Sequence, residues 1–183
     1  MVKLEFFFDC SSPWTYLAFE YLQTRMAGLD VEILWRPILV GGIFNTVNPS
    51  VYQSRETPVP LKAAYMRKDL ADWARLVGVG ITFPPPVFPV NSVKAMRGCL
   101  WLEPQGQLVP FARAVFEAYW RDDRDISSDA VLAEVCERAG ADAQDGVRVI
   151  LHSSQAGEHA TRLQTALQDA VARLPVKVRV QLQ

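Results

Sequence analysis

The sequence predicts an α/β fold in which a βαβ opening and a late strand bracket a block of helices. Three observations carry this. Val2 to Phe8 begins with alternation and ends in three consecutive phenylalanines, the pattern of a strand buried on both faces in the middle of a mixed sheet. A helical pattern over residues 14–27 separates it from a second apolar strand at 31–36, and strands joined through a helix run parallel with a right-handed crossover. Residues 176–182 alternate cleanly between apolar and polar, as a half-buried strand should. Residues 1–60 and 155–183 are therefore expected to form one domain, with 61–154 inserted as a helical one.

Each element has a local cause. Turn residues from Asp9 break the first strand, and Pro13 suits the first helical position, where its missing N–H costs nothing. Leu17, Tyr21 and Met26 are among the apolar positions of that helix, and Gly28 can end it. Gly41-Gly42, Asn45, Asn48-Pro49 and two more prolines make 37–60 a loop-rich stretch. Leu70, Trp73, Ala74 and Val77 form one stripe of a long helix over 62–77. Pro84, Pro85, Pro86 and Pro89 exclude regular structure from 78–91. Helices are expected at 92–102 and 107–120, followed by the charged turn Arg121-Asp122-Asp123-Arg124-Asp125. Ser127 or Ser128 caps the next helix and Gly140 closes it; two further helical stretches run over 143–153 and 155–173.

Composition narrows the function. The chain has 183 residues, half of them hydrophobic, and 19 basic against 20 acidic side chains give a net charge of −1. A core of ordinary size is possible, disorder is excluded, and there is no basic footprint for a nucleic acid. No apolar run approaches the roughly 20 residues of a membrane span. Lys3 and Glu5 stand where a secretory signal would be apolar, so a cytoplasmic location is expected. Cys10, Cys99 and Cys136 form no CxxC pair and suit neither a disulfide framework nor, with only His152 and His159, a metal centre.

The informative segment is Phe8-Asp9-Cys10-Ser11-Ser12-Pro13-Trp14-Thr15-Tyr16-Leu17. Ser12 falls where strand passes into helix, beside free N–H groups and the positive end of the helix dipole. That place favours an anion, although a serine there is also an ordinary helix cap. The segment resembles the start of the 2-hydroxychromene-2-carboxylate isomerases and kappa-class glutathione transferases, within the DsbA-like thioredoxin group. Three later segments extend the likeness: Trp35-Arg36-Pro37 with Gly41-Gly42-Ile43, the helix from Lys62 through Trp73-Ala74, and Phe88-Pro89-Val90-Asn91-Ser92 with Ala95-Met96-Arg97. Several ordered motifs over roughly the first 140 residues are more specific than one.

The resemblance implies a thioredoxin-like fold of the DsbA/kappa type, with an inserted helical subdomain, and a homodimer. It implies glutathione as cofactor, with Ser12 as the catalytic residue whose hydroxyl hydrogen-bonds the glutathione sulfur and favours the thiolate. Thiol-disulfide relatives carry Cys-x-x-Cys here; Ser12 and Thr15 in its place rule out a redox disulfide. Lys62 matches a lysine contacting the glycyl carboxylate, Asn48 lies in a second glutathione-contacting loop, and Pro175 takes the place of a cis-proline beside the tripeptide. Trp14, Tyr16 and Phe88 would line an aromatic substrate pocket, while Asn91 and Arg97 would meet a carboxylated substrate. Cys10 is expected to be a buried structural thiol. The implied reaction is cis–trans isomerisation of 2-hydroxychromene-2-carboxylate or a related aromatic carboxylate by reversible thiolate addition. The alternatives are a kappa-like transferase, which keeps the thioether, and a catalytically impaired glutathione-binding module. The family's closing proline motif, strand hairpin and γ-glutamyl-binding segment are not matched after Arg173, where Leu174-Pro175 leads into the alternating tail. The C-terminal hairpin and last helix are therefore expected to be atypical or missing.

Overall fold

The computed structural model describes residues 1–47, 52 and 56–142. Strand β1 (Val2–Phe8) leads into helix α1 (Pro13–Met26) and strand β2 (Val31–Pro37). The strands pair in parallel, in register from Val2 opposite Val31 to Phe8 opposite Pro37, as expected for a βαβ unit. Most of both strands is half-buried, and only their last residues, Phe8 and Pro37, are buried. Charges on the open side are paired across the strands, Lys3 with Glu32 and Glu5 with Arg36, but such exposed pairs add little stability.

Helix α2 (Val40–Val47) corrects the reading of 37–60 as loop. It starts where the Asp9 carboxylate accepts the Val40 N–H at 2.8 Å, a long-range cap that local pattern cannot reveal. Helix α3 (Pro60–Val77) begins with proline at its first position and ends at Gly78, whose φ of 81° few other residues adopt at low cost. The segment after it is irregular, with cis peptides at Phe83–Pro84 and Phe88–Pro89. Helix α4 (Val93–Leu102) then packs on β2 and on α5 (Leu108–Phe116), which runs into a π-helical segment, Glu117–Arg121. Helix α6 (Asp129–Arg138) lies against α5. Ser128 is its N-cap residue without making a cap bond; Asp125 Oδ1 instead accepts from the Ser127 N–H and hydroxyl, holding the preceding turn. The expected helices at 143–153 and 155–173, the strand at 176–182 and the Leu174-Pro175 site all lie outside the described residues.

One core joins the strands to the helical segment. Phe8 and Phe19 from the βαβ unit meet Phe116 of α5, with the Phe19 ring 4.7 Å from Trp35 and 5.2 Å from Phe116. Burying each such ring contributes roughly 1.5–3 kcal/mol. The π segment turns Trp120 inward, so that its indole N–H donates to the Cys10 carbonyl at 2.9 Å while its own carbonyl accepts the Thr82 N–H. The neighbouring Tyr119 hydroxyl donates to the Val87 carbonyl. Two otherwise irregular stretches, the turn after β1 and the segment after α3, are thereby fixed to one helix end.

Candidate active site

The turn after β1 is built around a buried carboxylate. Asp9 is 2 % exposed, and its Oδ1 accepts from the Ser11 N–H at 2.9 Å while Oδ2 holds the start of α2. The first bond is the aspartate turn that Asp-x-Ser spacing permits; the second could not be read locally. The Ser12 N–H donates to the Asp9 carbonyl, and Ser12 takes the extended conformation of a helix cap, with φ −108° and ψ 121°. Its Oγ accepts the Thr15 N–H at 3.3 Å. The Ser12 O–H therefore remains available to donate, at the positive end of α1.

Ser12 lies on the wall of a cavity of about 800 Å³. Of the other expected site residues, Trp14, Lys62, Phe88 and Asn91 line the same cavity. Lys62 is exposed on the first turn of α3, and among the described residues no carboxylate pairs with it. Phe88 sits edge-on to Phe83, ring centres 5.4 Å apart. The Asn91 Oδ1 accepts the Val93 N–H at 3.0 Å, which leaves the amide nitrogen free to donate into the cavity. Asn48 and Pro175 lie outside the described residues.

Two expected positions fall elsewhere. Tyr16 is buried and stacks flat on Phe116 at 4.9 Å, one helical step away from the cavity face of α1. It is a core residue, and burial, then the Glu117 and Glu20 carboxylates, push its hydroxyl up to about 12, so it stays protonated near neutrality. Arg97 does not line the cavity; its Nε is buried without a hydrogen-bond partner among the described residues. Cys10 has the place expected of it, fully buried. Burial raises its thiol well above the ordinary range, with the hydrogen-bonded Cys99 thiol and the Asp9 carboxylate adding to the effect, so the reactive thiolate is suppressed.

Sequence reasoning missed Asp9 as the keystone of the turn, and it missed Gly41, Gly42, Met66 and Ser92 as wall residues. The glycines and Met66 come from helices on other sides of the cavity, and no local pattern marks them.

A parallel βαβ unit whose second strand is followed by a run of packed helices defines a class of fold, and comparison with known proteins agrees. The family model of the DSBA-like thioredoxin domain matches residues 3–173, and the chain belongs to that family. A 2-hydroxychromene-2-carboxylate isomerase of Pseudomonas putida is 28 % identical over 142 residues, covering 76 % of this chain and 66 % of that protein. Glutathione S-transferase kappa 1 of Rattus norvegicus is 27 % identical over 145 residues, covering 75 % of this chain and 62 % of the relative. The match thus spans less than two thirds of either relative's length. Among solved structures, a 2-hydroxychromene-2-carboxylate isomerase superposes with a TM-score of 0.73 at 21 % identity, over 92 % of this chain and 81 % of the other. A probable DsbA oxidoreductase from Streptomyces coelicolor gives 0.72 at 16 % identity, over 94 % and 76 %. Both likenesses establish the DsbA-like thioredoxin fold. No helix among the described residues is long and apolar enough to cross a membrane.

Proposed function

We propose that this protein is a glutathione-dependent cis–trans isomerase acting on 2-hydroxychromene-2-carboxylate or a related aromatic carboxylate. The observation that carries this is the Ser12 hydroxyl, free to donate, at a helix N-terminus on the wall of a large cavity. The donor set fits an anionic tripeptide. Lys62 lines the cavity as an unpaired cation among the described residues, and Asp9, the carboxylate of the described lining, has both oxygens occupied by backbone N–H groups. When bound, glutathione supplies a thiolate that adds reversibly to a conjugated carbon and leaves after the bond made single has rotated. Ser12 donates to the sulfur and lowers its proton affinity, and each unit of lowering represents about 1.4 kcal/mol of preference for the anion. Lys62 holds a carboxylate of the tripeptide, and Asn48 and Pro175 are assigned further contacts with it. Asp9 keeps Ser12 and the start of α2 in place. Trp14 and Phe88 give the aromatic body of the substrate an apolar wall, and Asn91 donates to its polar end. Arg97 has no part in this from its place off the cavity.

The 27 % identity with a kappa transferase favours a second reading, in which the same thiolate displaces a leaving group and the thioether is kept. The two are separated by following the chromene carboxylate and a generic chlorinated aromatic by absorbance, each with and without glutathione. Isomerisation of the former that stops without glutathione supports the first reading. Conjugation of the latter alone supports the second, and glutathione binding without either reaction identifies an impaired binding module. The reading also assigns the protein to the cytoplasm as a homodimer that binds no nucleic acid, with 1–60 and 155–183 as the thioredoxin-like domain and 61–154 as the inserted helical one. Sedimentation tests the dimer.

A further inference from the structure

The start of α4 is a stretch of cavity wall with an unfilled hydrogen-bonding capacity. Ser92 is the N-cap residue of this ten-residue helix and is only 6 % exposed. A serine at an N-cap ordinarily turns its oxygen back to the N–H groups of the first turn. Ser92 does not: its side chain makes no cap bond, and Asn91 takes the Val93 N–H instead. The Ser92 hydroxyl makes no hydrogen bond to any described residue, yet it is not sealed off, because Ser92 lines the cavity with Asn91 and Val93. The residue is nine-tenths buried, and a hydroxyl that meets no protein partner on a cavity wall is completed by water or by a ligand.

The charges around it specify the ligand. The N-terminus of α4 is the positive end of its dipole, and α1 and α3 also begin on this cavity, at Ser12–Pro13 and at Val59. Asp9, the acidic side chain of the wall among the described residues, is spent on backbone N–H groups. Lys94, although on the first turn of α4, is held by Asp129 at 2.6 Å and does not line the cavity. Phe83, Phe88 and Val90, just before this turn, give the adjoining wall an apolar surface.

We propose that the Ser92 hydroxyl and the first-turn N–H groups of α4 beyond Val93 bind the carboxylate of an aromatic acid whose ring lies against Phe88 and Val90. This rests on the reading of the cavity as the place where an aromatic carboxylate reacts, but it concerns binding alone and is measured without glutathione. The full chain is titrated with 2-hydroxycinnamate and with its methyl ester, following heat or tryptophan fluorescence. Wild type binds the acid about tenfold more tightly than the ester, as a hydrogen bond to a charged group implies. Ser92→Ala loses that preference with ester affinity unchanged, while Lys62→Ala, altering an exposed residue, retains it. Equal affinity for acid and ester in wild type overturns the proposal. So does an unchanged preference in Ser92→Ala, or one that disappears in Lys62→Ala and thereby assigns the carboxylate to the lysine. The wild-type and Lys62→Ala comparisons decide even where Ser92→Ala folds poorly. A protein that prefers the acid but ignores glutathione refutes the reaction and leaves this subsite standing.

Discussion

Replacing Ser12 by alanine removes two interactions whose magnitudes differ. The first is the helix cap. At 3.3 Å the Thr15 N–H to Oγ bond is long, so its loss costs the low end of the usual range, about 0.5–1 kcal/mol. The second is the hydrogen bond the hydroxyl donates to sulfur in the proposed reaction. Bonds to charged groups contribute about 1.5–3 kcal/mol, which translates into roughly 10–150-fold in kcat/KM. Ser12→Ala should therefore lower turnover far more than stability. The assay pairs steady-state isomerisation rates with denaturant unfolding and with an ultraviolet titration of the bound thiol. In Ser12→Ala the thiol pKa should return toward that of free glutathione. Ser12→Thr, which keeps a hydroxyl, should retain most of the rate. Unchanged kcat/KM together with a small stability loss would reduce Ser12 to a cap and refute the reasoning.

Asp9→Ala removes the acceptor of two backbone N–H groups and should cost roughly 2–4 kcal/mol in urea unfolding, with Asp9→Asn costing less because one oxygen survives. The three thiols are buried, so a colourless-to-yellow disulfide reagent should find none in the folded protein and all 3 after denaturation, and Cys10→Ala should keep its activity. Burial pushes the Cys136 thiol from 9.0 up to about 11 and the Tyr16 hydroxyl from 10.0 up to about 12. Both stay neutral in the fold at pH values where the unfolded chain ionises them, so the stability they confer is complete below about pH 9 and lost as pH climbs toward 12. A melting temperature flat to about pH 9 and falling above it is expected, with the upper part of the fall reduced in Tyr16→Phe, the buried thiols keeping the remainder.

The βαβ opening was legible because its signals are local: a phenylalanine run, Pro13 at the head of a helix, and helical spacing between two apolar strands. Helix α2 was not legible. Gly41-Gly42 has poor helix propensity, and what starts the helix is a carboxylate 31 positions earlier in the chain. Tyr16 and Trp14 show the same limit on a smaller scale. Both are aromatic and sit two positions apart on α1, which turns one into the core against Phe116 and the other toward the cavity. On α4, Arg97 carries the charge that attracts notice in a sequence, yet the helix start, Ser92 and Val93, lines the wall. Residue type suggested the chemistry of the site, but only the packing of α4 on β2 and α5 determines which of its faces the cavity sees.

The central claim is that this chain captures a thiol as its anion. Calorimetric titration of the full chain with glutathione, repeated in buffers of different ionisation enthalpy, measures binding and proton release together. The account predicts saturable binding that releases a proton near neutral pH, and weaker, proton-neutral binding of S-methylglutathione. Absence of binding, or equal affinity for the two peptides with no proton released, would contradict it.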